Sequence, residues 1–335
     1  VPSKISSPGG LDAEGRRFLD GRVCAGAIER VRGTPARAPI RVYVGLHSAP
    51  TIAERVRAAL SELGRLGAFE RRRIVVGSPT GLGWLNPTAV EADEIMSAGD
   101  VATVVVQYAE ERSWRSRRRV PVGRDTHRAL LEALGERTGG DDRPELAVFA
   151  ESLGAWAALS ALGGPDDLDR LGVARGLWVG VPFDARDHQR RVVPTAPAQP
   201  DPRFGVFASA AELDAEPSGR RRALRFTFLT RRDDPVATFE GARVLYAPPR
   251  NRRAGEPWLP LVSALRSLRD IVRATDFAPG HLGATGHDYR GELAAAVRTA
   301  FGHEDVGAEE LGRIEAELLE RERRRAAHDP RGSAA

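Results

Sequence analysis

The chain has 335 residues, 41% of them hydrophobic, enough for the core of one large α/β domain or two smaller ones; no run approaches the roughly 18 consecutive apolar residues that span a bilayer. Net charge is +4 and the pI is about 9.8, but the arginines (Lys4 is the only lysine) lie in scattered runs at 71–73, 115–119, 220–222 and 323–325 with acidic residues between them, which argues for solvated faces and against nucleic-acid binding. Cys24 is the only cysteine, which excludes an intrachain disulfide and a Cys-based metal site.

Residues 1–14 are rich in Ser, Gly and Pro and read as a disordered N-terminus. No signal peptide is visible in the opening Val1-Pro2-Ser3-Lys4. Strand-like runs and helical patterns then alternate. Ile40 to Leu46 reads as a buried strand, 51–66 as a helix and 73–76 as a short strand ending in the Gly-rich loop 77–84. Asn86 and Pro87 have the N-cap and first-position chemistry for a helix over 87–98. Strands follow at 101–108, 146–149, 177–181, 224–229 and 243–246, with helices at 124–137 and 153–162. This alternation predicts an α/β fold, a mainly parallel sheet with helices on both faces, over residues 15–302. The Pro- and charge-rich stretch 183–222 breaks the alternation and reads as a substrate-facing excursion or lid. Residues 303–335 read as a charged helix, centred on 308–327, and a tail that looks disordered.

The most telling stretch is Phe149-Ala150-Glu151-Ser152-Leu153-Gly154. An apolar run ends in small-x-Ser-x-Gly and an Ala-rich helical segment follows, the outline of a nucleophile elbow. Such a turn lifts the serine hydroxyl out at a strand end beside the positive end of a helix. A serine nucleophile needs a base and a group to orient that base, and one recurrent chain order is Ser, acid, His. Downstream of Ser152, the strand 224–229 runs into Asp233-Asp234-Pro235; Asp234 is the better placed acid and Asp233 the alternate. Of the later histidines, His287, in a loop before the helical run 293–301, best fits the base. His281 shares that loop and suits substrate contact or plain exposure, His303 reads as a capping or surface residue, and His47, upstream of the serine, as structural. Oxyanion donors are expected at the Leu153 N–H and in the loop containing Thr80 and Gly81. Trp84, Trp156 and Trp258 read first as packing residues, with an acyl-pocket wall as the other reading for Trp258 and the amphipathic run after it. No metal-ligand spacing is present, and no cofactor is called for.

Taken with Gly15 to Phe18, Pro39 to Leu46, Pro79 to Trp84, Leu177 to Gly180, Asp234-Pro235-Val236 and Gly286-His287-Asp288-Tyr289, these residues resemble an actinobacterial α/β-hydrolase family, formerly a domain of unknown function, whose members often carry a membrane-embedded N-terminal half. The resemblance covers roughly residues 15–301. It implies the α/β-hydrolase fold, Ser152, Asp234 and His287 as a triad, and a serine esterase, lipase-like enzyme or acyltransferase acting on a small-molecule or lipid ester. The chain departs from the family in having Ala150 for Gly, Asp288 for Asn, and Ala237-Thr238-Phe239 where a Trp pair is common; these changes leave the triad in place and bear on pocket shape. They also motivate a second reading, a non-catalytic or specialised binding protein on the same fold. The membrane-embedded half is not encoded in this sequence. The expected location is therefore cytoplasmic if the chain is complete and membrane-associated if a membrane segment precedes Val1.

Overall fold

Runs such as Arg73–Ser78 and Val101–Val106 are β-branched and apolar throughout, the composition of strands covered on both faces. The computed structural model describes residues 11–111, 116–138, 144–194, 201–239, 277–283 and 285–328 and, singly, positions 261, 265, 269 and 271. Seven strands form one parallel sheet in the order β1-β3-β2-β4-β5-β7-β6. They are β1 (Ile40–Val44), β2 (Arg73–Ser78), β3 (Val101–Val106), β4 (Glu145–Glu151), β5 (Val173–Val179), β6 (Phe204–Phe207) and β7 (Phe226–Leu229). The period-2 alternation of strand side chains divides the core. Val75, Val105, Phe149 and Val179 face one layer, and Ile74, Val76, Val148 and Trp178 face the other.

The first layer holds α1 (Ala13–Asp20), α2 (Ala25–Arg32), α4 (Pro87–Met96), α12 (Leu293–Ala300) and α13 (Ala308–His328). The second holds α3 (Ile52–Arg65), α5 (Val120–Gly135), α6 (Leu153–Ser160) and α7 (Asp166–Arg170). The short helices α8 (Arg186–Val192), α9 (Ala210–Asp214), α10 (Ser218–Ala223) and α11 (Pro235–Thr238) lie in the connections around β5 to β7. Among the described residues no helix is long and apolar enough to cross a membrane.

Several sequence expectations are corrected in detail. Order begins before residue 14, because the Asp12 side chain accepts from the Gly15 N–H at 2.6 Å and caps α1. The stretch 183–222 carries an edge strand, β6, paired in parallel with β7 from Phe204↔Phe226 to Phe207↔Leu229. The strand expected at 177–181 begins at Val173 and closes at Gly180, whose φ of +57° ends the extended backbone. The expected strand at 243–246, Trp258, and residues 1–10 and 329–335 lie outside the described residues.

His303 caps as expected, its N–H donating to the Arg298 carbonyl at 2.8 Å after Gly302 at φ +68°, but it is not a surface group. It is 1% exposed, with Nε2 2.7 Å from Asp93 Oδ1. Arg73, buried at the start of β2, completes this cluster: Nη1 donates to Asp93 at 3.0 Å, Nη2 to Glu145 at 2.8 Å and to the Phe301 carbonyl at 2.5 Å. One guanidinium thus joins β2, β4, α4 and the end of α12. Replacing it by Met leaves the buried Asp93 carboxylate short of its cation, so Arg73→Met is expected to lower stability by about 3–5 kcal/mol in urea unfolding; an unchanged midpoint would contradict this role for the cluster.

Candidate functional site

In open parallel sheets the carboxyl ends of the strands are where loops converge on ligands. Here β4 delivers Ser152, β7 delivers Asp234, β2 delivers the loop 79–86, and the turn before α12 delivers His287. Ser152 has φ 55° and ψ −124°, a conformation rare for a residue with a side chain. Its N–H donates to the Val179 carbonyl at 2.9 Å, keeping it in the sheet, while its own carbonyl accepts from the Trp156 N–H at 3.1 Å and starts α6. The turn is tight enough that a Cβ on Gly154 would lie 2.1 Å from the Ser78 carbonyl oxygen, so that position has room only for glycine. Ala150 meets no such limit. It is a regular β4 residue paired with Ser78 and Trp178 and has no positive φ, so the methyl group that departs from the family pattern costs no backbone strain.

His287 Nε2 lies 2.9 Å from Ser152 Oγ, and His287 Nδ1 lies 2.7 Å from Asp234 Oδ2. The ring is 3% exposed and the Asp234 carboxylate is fully buried. Asp234 Oδ1 accepts the N–H groups of Val236 at 2.8 Å and Ala237 at 3.3 Å as the N-cap of α11, with Pro235 at the first helical position. Oδ2 also accepts from the Tyr289 hydroxyl at 2.7 Å, and that hydroxyl in turn accepts the Arg231 N–H at 3.0 Å. Tyr289 belongs to the Gly286-His287-Asp288-Tyr289 stretch of the family resemblance, and the structure gives it this role. Its spacing, two residues beyond His287 in a tight turn, is the signal that the two side chains could reach one acid.

The alternates separate clearly. Asp233 turns outward, pairs with Arg231 at 2.9 Å, and accepts the Gly286 N–H at 3.0 Å. It secures the histidine turn and does not touch the imidazole. His281 is exposed, and His47 is exposed and pairs with Glu110 at 2.9 Å, a surface contact instead of the structural role expected of it. Of the oxyanion candidates, the Leu153 N–H lies at the first position of α6, where no intrahelical acceptor exists. The Thr80 N–H is already committed to the Trp84 carbonyl at 2.8 Å, which removes it as a donor to substrate in this conformation. Gly81 is buried under Ser116, whose side chain occupies the space a Cβ would need. Trp84 packs its ring 6.1 Å from Phe277, and Trp156 is half-buried with the Arg117 guanidinium 5.7 Å from its ring centre. Gly180, at the end of β5, belongs to the stretch that carries the family resemblance, and the structure shows why it has no side chain: a Cβ there would lie 3.0 Å from His287 Cε1 and 2.8 Å from the Tyr289 ring.

With the geometry in place, a family model described as the alpha/beta-hydrolase family matches residues 40–314. The chain belongs to the alpha/beta-hydrolase family. The match runs from β1 into α13 and includes all three of Ser152, Asp234 and His287. No curated protein and no solved structure matches the chain. Among the described residues, no group of three or more His, Cys, Asp or Glu side chains is placed to hold a metal ion.

Burial alone would depress the His287 pKa, but the charge and hydrogen bond of Asp234, with smaller contributions from Glu151 and Asp288, raise it above its ordinary 6.5. Asp234→Asn removes the dominant raising influence and leaves desolvation opposed only by the smaller effects of Glu151 and Asp288. The His287 titration midpoint, read by NMR, is expected above 6.5 in the wild-type chain and lower in Asp234→Asn. A midpoint that does not move would contradict the assigned pairing.

Proposed function

We propose that this alpha/beta-hydrolase family chain is a serine hydrolase acting on carboxylic esters, with Ser152 as nucleophile, His287 as general base and acid, and Asp234 as the group that orients the imidazole. The observation that carries the reading is the continuous path from Ser152 Oγ to His287 Nε2 (2.9 Å) and from His287 Nδ1 to Asp234 Oδ2 (2.7 Å).

In this scheme Ser152 Oγ forms a bond to the ester carbonyl carbon as its proton passes to His287 Nε2. The carbonyl π electrons move to oxygen, and the Leu153 N–H at the positive end of α6 faces that developing charge. Collapse expels the alkoxide, which takes the proton from His287 and leaves an acyl group on Ser152. A second hydroxyl, from water or from an acceptor alcohol, repeats the sequence in reverse; the first outcome is hydrolysis and the second acyl transfer. The apolar residues Leu82 and Trp84 in the β2 loop suit an ester with an apolar acyl chain, including a lipidic one. The binding-protein reading rested partly on Ala150, and the ordinary strand backbone there weakens it.

A fluorophosphonate probe tests the scheme. The wild-type chain should label, Ser152→Ala should not, and His287→Ala should label at least about a thousandfold more slowly. Hydrolysis of a chromogenic ester should rise with pH through a midpoint above 6.5, because His287 must be neutral to accept the proton and its pKa is raised. Equal labelling of wild type and Ser152→Ala would overturn the assignment.

A further inference from the structure

The residue before the nucleophile is a buried carboxylic acid. Glu151 ends β4, is 3% exposed, and points to the same sheet face as Phe149, the face that carries Tyr289. Its Oε2 accepts from Asn86 Nδ2 at 2.8 Å. Asn86 is itself 1% exposed, and its other end, Oδ1, accepts the Thr88 N–H at 3.1 Å as the cap of α4. Both ends of that amide are therefore used, and its orientation is set. The contact joins the elbow to the end of the β2 loop. No cation pairs directly with Glu151 among the described residues, a costly arrangement in a core that could hold an apolar side chain.

The groups it acts on are those of the histidine turn. Glu151 directly precedes Ser152, whose Oγ is 2.9 Å from His287 Nε2, and its charge interacts with His287, Asp288, Tyr289 and Arg290 of the histidine turn and with Asp234 at the end of β7. We propose that Glu151, clamped by Asn86, is a positioning residue for His287, supplying a second buried carboxylate that favours the imidazolium formed when Ser152 gives up its proton. The inference rests on the Ser152–His287–Asp234 reading above and deepens it. Burial lifts the Glu151 carboxyl to about 7; the neighbouring His287 and the Asn86 hydrogen bond pull it down, and Asp288 and Asp234 push it up. The two groups are coupled: Glu151 raises His287 while His287 lowers Glu151.

The test compares wild type, Glu151→Gln and Glu151→Asp in the full chain, by chromogenic-ester kinetics across pH and by fluorophosphonate labelling rate. Gln preserves an acceptor for Asn86 but removes the charge. The acid-side midpoint of kcat/KM should then move to lower pH by at least about half a unit, and kcat should fall about tenfold with little change in KM. Asp, which keeps the charge, should restore much of the midpoint. A folded Glu151→Gln chain with the wild-type midpoint and rate would overturn the proposal. Infrared titration of the unmodified residue guards against a variant that fails to fold. The Glu151 carboxylate band should be present at the pH of activity, and its protonation midpoint should rise in His287→Ala; a carboxyl that stays protonated at that pH, or a midpoint unmoved by His287→Ala, overturns the proposal as well. The two levels fail differently. If the triad reading is wrong, wild type does not label or Ser152→Ala labels equally; if only Glu151 is wrong, labelling depends on Ser152 and is indifferent to Glu151→Gln.

Discussion

The arrangement at the sheet's carboxyl edge depends on one buried carboxylate. Asp234 has no exposed surface and accepts four hydrogen bonds, two from the first turn of α11 and two from His287 and Tyr289. A carboxylate taken out of water needs its acceptor sites filled, and filling them here fixes the carboxylate plane against both the strand end and the histidine turn. Asp-Pro at this point serves two physical purposes at once. It caps a helix, and it aims the oxygen that the cap leaves free at the imidazole. The Tyr289 hydroxyl ties the same oxygen to the backbone of Arg231, so strand, helix and turn cannot shift independently.

Ser152 is held from the opposite side. Its left-handed backbone costs on the order of 1–3 kcal/mol and persists because β5 takes its N–H, α6 takes its carbonyl, and Gly154 lets the turn close against Ser78. The C-terminal helix braces both flanks of the site. Arg321 and Arg325 of α13 pair with the buried Glu91 on α4, at 3.1 and 2.5 Å, and Glu322 pairs at 2.6 Å with Arg290, which grips Asp288 beside the histidine. The charged tail helix, which in sequence resembles a solvated appendage, thus carries buried ion pairs that reach the residue after His287.

What could be read beforehand followed from chemistry local in sequence. β-branched runs marked β2 and β3, Asn86-Pro87 marked the start of α4, and small-x-Ser-x-Gly marked the elbow, because in each case neighbouring residues alone set the backbone. The Ser152, Asp234 and His287 side chains were picked out by chain order and meet in space. The features that escaped depend on distant partners. β6 has only four residues and owes its conformation to β7. His303 looked like a surface group until Asp93 and Arg73, more than two hundred residues away in the chain, enclosed it. The Thr80 N–H was offered as a donor to substrate, but the loop folds back and uses it at Trp84. Glu151 was visible only as the variable position of a motif, and its significance lies in Asn86 and in the histidine turn, which no spacing rule connects to it.

The central claim is that Ser152 Oγ is the atom that takes up the acyl group. The most direct measurement is mass spectrometry of the chain quenched in acid during turnover of a slowly deacylating aryl ester, with peptide mapping of the adduct. The account predicts one acyl group per chain, located on Ser152 and absent from the Ser152→Ala variant. An adduct on any other residue, or ester turnover at the wild-type rate by Ser152→Ala, would contradict it.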